Sequence, residues 1–104
     1  MGRIQSGRRP AVVLHSSESL NRIPVTIVVP GTTKVAAATY PHTVKVAPDD
    51  GNGLRMVTVF LGFQIQAADT RSIDQPRIGR LSDDYLVKVE NAVLSALGFD
   101  PPDD

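Results

Sequence analysis

The sequence predicts a mainly β protein: a small, strongly bent antiparallel sheet or partly open barrel, covered by one C-terminal amphipathic helix. Two observations carry this. Short β-branched runs recur at close spacing, separated by Pro and Gly. After the last of them the apolar period changes to three and four residues over positions 82–98.

Residues 1–9 are polar, basic and Gly-containing, and read as a loop. Pro10 lacks an N–H to give to a ladder, so it suits the start of the strand Ala11-Val12-Val13-Leu14-His15. Residues 16–22 are a polar connection. Val25-Thr26-Ile27-Val28-Val29 forms a second strand, stopped by Pro30-Gly31. Residues 32–40 read as a loop whose alanine run leaves room for a helical turn. Tyr40-Pro41 resets the chain to an extended course, because a residue before Pro avoids the α region.

Val44 and Val46 alternate with Thr43 and Lys45, which makes 42–47 a half-buried strand. Asp49-Asp50-Gly51-Asn52-Gly53 is a strong turn signal. Residues 56–65 are the longest β-rich stretch, with Gly62 as a bulge or a point of close approach. A short strand over 77–81 ends the β part. Ser82 then suits an N-cap, Asp83 and Asp84 favour the first turn electrostatically, and Gly98 stands where a helix terminates. Leu86, Val89, Val93 and Leu97 fall on one helix face, which must cover the sheet or barrel.

A chain of 104 residues is one domain with a single modest core. The assigned bounds are 1–99, with 100–104 a polar, Pro-interrupted tail. No apolar run approaches the ~18 residues of a membrane span, so no membrane partner is expected. No apolar segment follows the basic start, so no secretory signal is read there. Cysteine is absent, which excludes thiol chemistry and fits a cytoplasmic protein. The net charge of zero hides an asymmetry: ten Lys/Arg face five acids in residues 1–80, and one Lys faces six acids in 81–104. The basic body suits a phosphate backbone, and equally an ordinary solvated surface.

His15 and His42 have no Cys or carboxylate at ligand spacing, so neither a metal nor a cofactor is expected. No phosphate-binding Gly-rich loop or nucleophile elbow is present. With aromatic residues at 5% and no Trp, a platform for bases would rest on Tyr40 and Phe63. Two clusters are suggestive: Arg8-Arg9-Pro10 at one strand entrance and Thr32-Thr33-Lys34 at another strand's exit. Guanidinium groups, hydroxyls and loop amides converging at strand ends suit a phosphate. The alternative is that Arg9 pairs with a carboxylate and the threonines cap a turn.

Taken in order, GRRPAVVL (7–14), Asn21-Arg22, IVVPGTT (27–33), Tyr40-Pro41, Gly53-Leu54, FQI (63–65) with Asp69, and IGRLSDD (78–84) before the helix resemble the MazF/PemK toxins. The resemblance runs from Gly2 to Phe99. It implies an SH3-like or CcdB-like barrel that dimerises, cleaves single-stranded RNA without metal, and is restrained by a cognate antitoxin. In the family reaction the ribose 2′-hydroxyl attacks the adjacent phosphorus, leaving a cyclic phosphate and a 5′-hydroxyl. Carried over by position, Arg9 would stabilise the phosphorane and Thr32 would hold a phosphate oxygen. Gln64 would contact RNA, with Arg8, Thr33 and Lys34 as backbone contacts, while Tyr40 is expected to pack at the barrel.

The chain also departs from the family pattern. It is read as lacking the usual first strand, which would leave a barrel edge unpaired. Ile4 stands where the family loop has a glutamate, Gln66 where it has a cation, and Met56-Val57 where a Lys/Asp pair is usual. These departures imply weakened activity. They also leave two other readings: an impaired toxin that binds antitoxin or nucleic acid, and a CcdB-like gyrase poison, to which residues 54–59 bear some likeness.

Overall fold

The computed structural model describes residues 3–5, 9–14, 25–69 and 77–99. The strands are β1 (Arg3–Gln5), β2 (Ala11–Val13), β3 (Val25–Thr32), β4 (Thr43–Val46), β5 (Thr58–Leu61), β6 (Gln66–Asp69) and β7 (Arg77–Arg80), followed by helix α1 (Asp83–Ala96). They run in the order β4-β5-β3-β2-β1-β7, with β6 also paired to β3. Every pairing is antiparallel. The mainly antiparallel β class with a C-terminal helix is the one that the sequence predicts.

Strand β3 joins the two halves of the sheet. Along one edge it pairs with β2, Val12 opposite Val29. Along the other it changes partner, with Val25–Val28 facing β6 and Gly31 and Thr32 facing β5. The change falls at Val29-Pro30, where Pro30 has no N–H to donate. The alternation of burial breaks there too, since Val28 and Val29 are both buried.

The core gathers Val12, Val29, Val44, Val46 and Phe60 from the sheet, Leu54 from the segment between β4 and β5, and Leu81, Leu86, Val89 and Val93 from the helix side. Helix α1 is bounded as its caps require. Ser82 Oγ accepts the Tyr85 amide at 3.3 Å. At the other end the Gly98 amide donates to Ser95 O and the Phe99 amide to Leu94 O, with Gly98 at φ +91. This double closure satisfies carbonyls that the last turn would leave open.

The structure corrects the sequence reading at several places. Strand β3 is not stopped by Pro30-Gly31 but runs through them to Thr32, gaining β5 as a partner there. Arg3–Gln5, read as loop, form β1 between β2 and β7, Ile4 facing Val12 on one side and Gly79 on the other. The edge expected to stand open beside β2 is thereby filled, and Ile4 lies in a strand rather than a loop. The stretch 56–65 is not one strand: it begins at Thr58, leaves the sheet through a 3-10 turn at Gly62–Gln64 and resumes as β6. Gly62 is indeed a close-approach point, since a Cβ there would lie 2.8 Å from His42 O and 3.1 Å from Ala92. His42 precedes its strand in the left-handed region at φ 62, its carbonyl accepting the Gly62 amide at 2.8 Å. Leu97 fits the apolar period, yet it follows the last helical residue and is 57% exposed.

The turn over 49–53 is built around Asn52, whose side chain is buried. Its Nδ2 donates to Ala47 O, and its Oδ1 accepts the Leu54 and Asp49 amides. Asp49 Oδ1 accepts the Gly51 and Asn52 amides in turn. Gly51 O then accepts the Arg80 amide at 2.9 Å, which seats this turn on β7. No helix among the described residues is long and apolar enough to cross a membrane.

Candidate functional site

The site is set by the register of β2 on β3. Ala11 faces Pro30, and the Gly31 amide donates to Pro10 O at 2.9 Å. One further step in each chain places Arg9 opposite Thr32, where the two strands part. Arg9 is exposed and Thr32 half-buried. Pro10 holds the chain extended at this entrance through its ring-fixed φ. On the far side Thr32 pairs with Val59 of β5, so its backbone is anchored in the sheet.

Thr32 Oγ1 accepts the Lys34 amide at 3.2 Å. That bond realises the turn-capping role weighed for the threonine and still leaves the hydroxyl proton to be donated. Thr33 and Lys34 follow as exposed residues before a 3-10 turn at Val35–Thr39. Among the described residues Arg9 has no ion-pair partner; the exposed Arg80–Asp83 pair, at 3.7 Å, lies elsewhere. An arginine across from a threonine hydroxyl and loop amides can hold a phosphate oxygen. Arg8 and His15 lie outside the described residues, as do Asn21 and Arg22.

Gln64 belongs to a second locality. It is exposed at the end of the turn after β5, where it lines a groove with Tyr40, Pro41, His42 and Phe63. Tyr40 does not pack into the barrel as expected. It is 60% exposed, its ring centroid 6.1 Å from that of Phe63. Phe63 sits at a position that reads as strand from its neighbours, so its outward placement by the 3-10 turn left no signal in the sequence period. Gln66 is exposed on β6 opposite Val28, and Met56 is exposed in the bend before β5. Among the described residues no three His or carboxylate side chains are grouped to hold a metal ion.

A family model described as PemK-like, MazF-like toxin of type II toxin-antitoxin system matches residues 1–97. A chain of the MazE-MazF crystal structure (Form-III) from Deinococcus radiodurans is 26% identical, with a TM-score of 0.78 covering 95% of each chain. The Mycobacterium tuberculosis toxin MazF-mt6 is 23% identical, with a TM-score of 0.76 covering 94% of this chain and 96% of that one. An endoribonuclease in complex with its cognate antitoxin from a mycobacterial species is 19% identical, with a TM-score of 0.79 covering 97% and 96%. The last two likenesses concern the fold alone. No curated protein matches the sequence. Nothing in these matches favours the gyrase-poison reading. With a family match over nearly its whole length and this fold, the chain belongs to the PemK-like, MazF-like toxins of type II toxin-antitoxin systems.

Proposed function

We propose that this toxin is a metal-independent endoribonuclease of the cytoplasm that cuts single-stranded RNA, acts as a homodimer and is restrained by a cognate antitoxin. The observation that carries the reading is the β2–β3 register, which sets Arg9 across from Thr32 at accessible strand ends. In the reaction, the ribose 2′-oxygen bonds to phosphorus as its proton leaves to solvent. The P–O5′ bond then breaks, and the departing oxygen takes a proton to give the 5′-hydroxyl and a 2′,3′-cyclic phosphate. Negative charge peaks on the non-bridging oxygens of the phosphorane, and a group that meets it there lowers the barrier.

Arg9 supplies that group. Its guanidinium offers a planar fork of parallel donors to two phosphate oxygens. Charge stabilisation is its main part. Thr32 adds a hydroxyl donor whose oxygen is already tethered to the Lys34 amide, while Thr33, Lys34, Arg8 and Gln64 contact the flanking RNA. The MazE-MazF complex among the structural relatives supports the antitoxin partner. An antitoxin segment rich in acidic residues would compete for the same cationic strand ends.

The test is incubation of the purified protein with a long single-stranded RNA in EDTA, with cut ends mapped by primer extension. Discrete cuts bearing 5′-hydroxyl ends, abolished by Arg9→Ala in a folded protein, are the expected result. No cutting by the folded wild type would leave the impaired-toxin reading, and wild-type rates in Arg9→Ala would remove Arg9 from the site.

A further inference from the structure

Two of the chain's five aromatic side chains stand together at the surface. Tyr40 is 60% exposed and Phe63 42%, whereas Phe60, three residues earlier, is fully buried. Their rings meet edge to face, 78° apart. The groove they line measures about 390 Å³, within the size range of small-ligand sites.

The corner that carries them is tied down. Thr43 Oγ1 donates to Tyr40 O at 2.9 Å, and the Gly62 amide donates to His42 O at 2.8 Å. These bonds fix the Tyr40–His42 backbone against the turn that bears Phe63 and Gln64. Each ring is therefore presented by a preset backbone, which lowers the ordering cost of binding. A flat ring laid on one of the two perpendicular faces meets the edge of the other. Gln64 brings an amide with both a donor and an acceptor, able to pair with the edge of a base.

Charge points the same way. His42 also lines an adjoining groove with Lys45, Lys88 and Asn91. The two lysines of this adjoining groove, Lys88 with its ammonium 5.1 Å over the Tyr85 ring, suit the phosphates that flank a bound base. A second copy of this chain has no special use for a perpendicular ring pair with an amide at its rim.

We infer that Tyr40 and Phe63 form a stacking site for one unpaired nucleobase of the RNA target, with Gln64 reading its edge. The inference rests on the RNA-cleaving reading above and adds its specificity-determining residues.

Two measurements test it, using variants Tyr40→Leu and Phe63→Leu, which keep apolar volume and remove the ring. In the first, wild type and variants cut the same long RNA. The variants are expected to cut wild-type sites about tenfold more slowly, since stacking on one aromatic is worth that much or more. They also lose base preference at one position of the cut sequence. Unchanged preference in both variants would overturn the inference while leaving the nuclease reading intact.

In the second, 2′-O-methyl hexanucleotides of A, C, G and U, which lack the attacking hydroxyl, are titrated into the wild-type protein. The ring signals of Tyr40 and Phe63, assigned through the variants, are followed by NMR. Upfield shifts of both rings with at least one oligomer are expected. Rings unmoved by all four overturn the site. Should the wild type fail to cut RNA, ring shifts would keep the base site and remove only the nuclease reading. A variant that changes from dimer to monomer in sedimentation would assign the patch to a second copy and overturn the inference.

Discussion

Pro10 O accepts the Gly31 amide at 2.9 Å, the last hydrogen bond before β2 and β3 part at Arg9 and Thr32. Because Pro10 gives no hydrogen bond in return, the geometry at this mouth depends on that single bond and on the side chains just beyond it. Thr32→Val removes the hydroxyl but keeps the branched shape and the strand register. Loss of one positioned donor to developing charge is worth on the order of 10²-fold in kcat. Single-turnover cleavage should fall by about that factor in Thr32→Val, with most activity retained in Thr32→Ser. Equal rates in Val and Ser variants would take the hydroxyl out of the chemistry.

Arg9→Lys keeps the charge and loses the fork. Lysine places a compact ammonium where two phosphate oxygens require parallel donors, so the exchange is not conservative at such a site. Cleavage is expected to drop by roughly 10- to 100-fold, between wild type and Arg9→Ala. Thermal stability should stay within about 0.5 kcal/mol of wild type, as for other exposed substitutions, because Arg9 has no partner among the described residues. A melting temperature lowered in step with activity would instead make Arg9 a structural residue.

The contrast between what the sequence discloses and what it hides follows from where each signal resides. Helix α1 was legible to its caps because Ser82 and Gly98 act on amides and carbonyls within a turn of themselves. Strand β1 was not, since three residues, Arg3–Gln5, carry no period and become a strand only through β2 and β7. Likewise Phe63 and Ile65 alternate like strand residues, and the turn out of the sheet at Gly62–Gln64 leaves no mark in that period. At the site, the motifs around Arg9 and Thr32 were visible separately, and their register supplies the pairing. For Tyr40 the residues alone offer a base platform with Phe63, whereas the family resemblance has it pack at the barrel. Its ring is 60% exposed beside that of Phe63, a pairing that neither stretch of sequence shows by itself.

Asn52 offers a test of the fold that leaves the site alone. It is fully buried, and its side chain makes hydrogen bonds to Ala47 O and to the Leu54 and Asp49 amides. Asn52→Ala strands three backbone groups at once, and each buried orphan costs about 1–3 kcal/mol. Some will find water at the rim of the turn, so a loss of about 3 kcal/mol is expected in urea unfolding. A loss under about 1 kcal/mol would mean that the turn rearranges without its plug.

Gly79 and Gly98 separate two reasons for glycine. A Cβ on Gly79 would lie 2.3 Å from the backbone C and O of Asn52 and 2.6 Å from Gly51 O. Those atoms belong to the turn that receives the Arg80 amide, so they cannot yield without breaking its hydrogen bonds. Gly98 has nothing within 4 Å of its Cβ position but holds φ at +91. Gly98→Ala should therefore cost only the conformational term, about 1 kcal/mol. Gly79→Ala, at an ordinary φ, must displace backbone and should cost about 3 kcal/mol or more. Chemical denaturation of both variants decides it: near-equal losses would mean that β7 can draw away from the Asn52 turn, and the close seating described above would then be wrong.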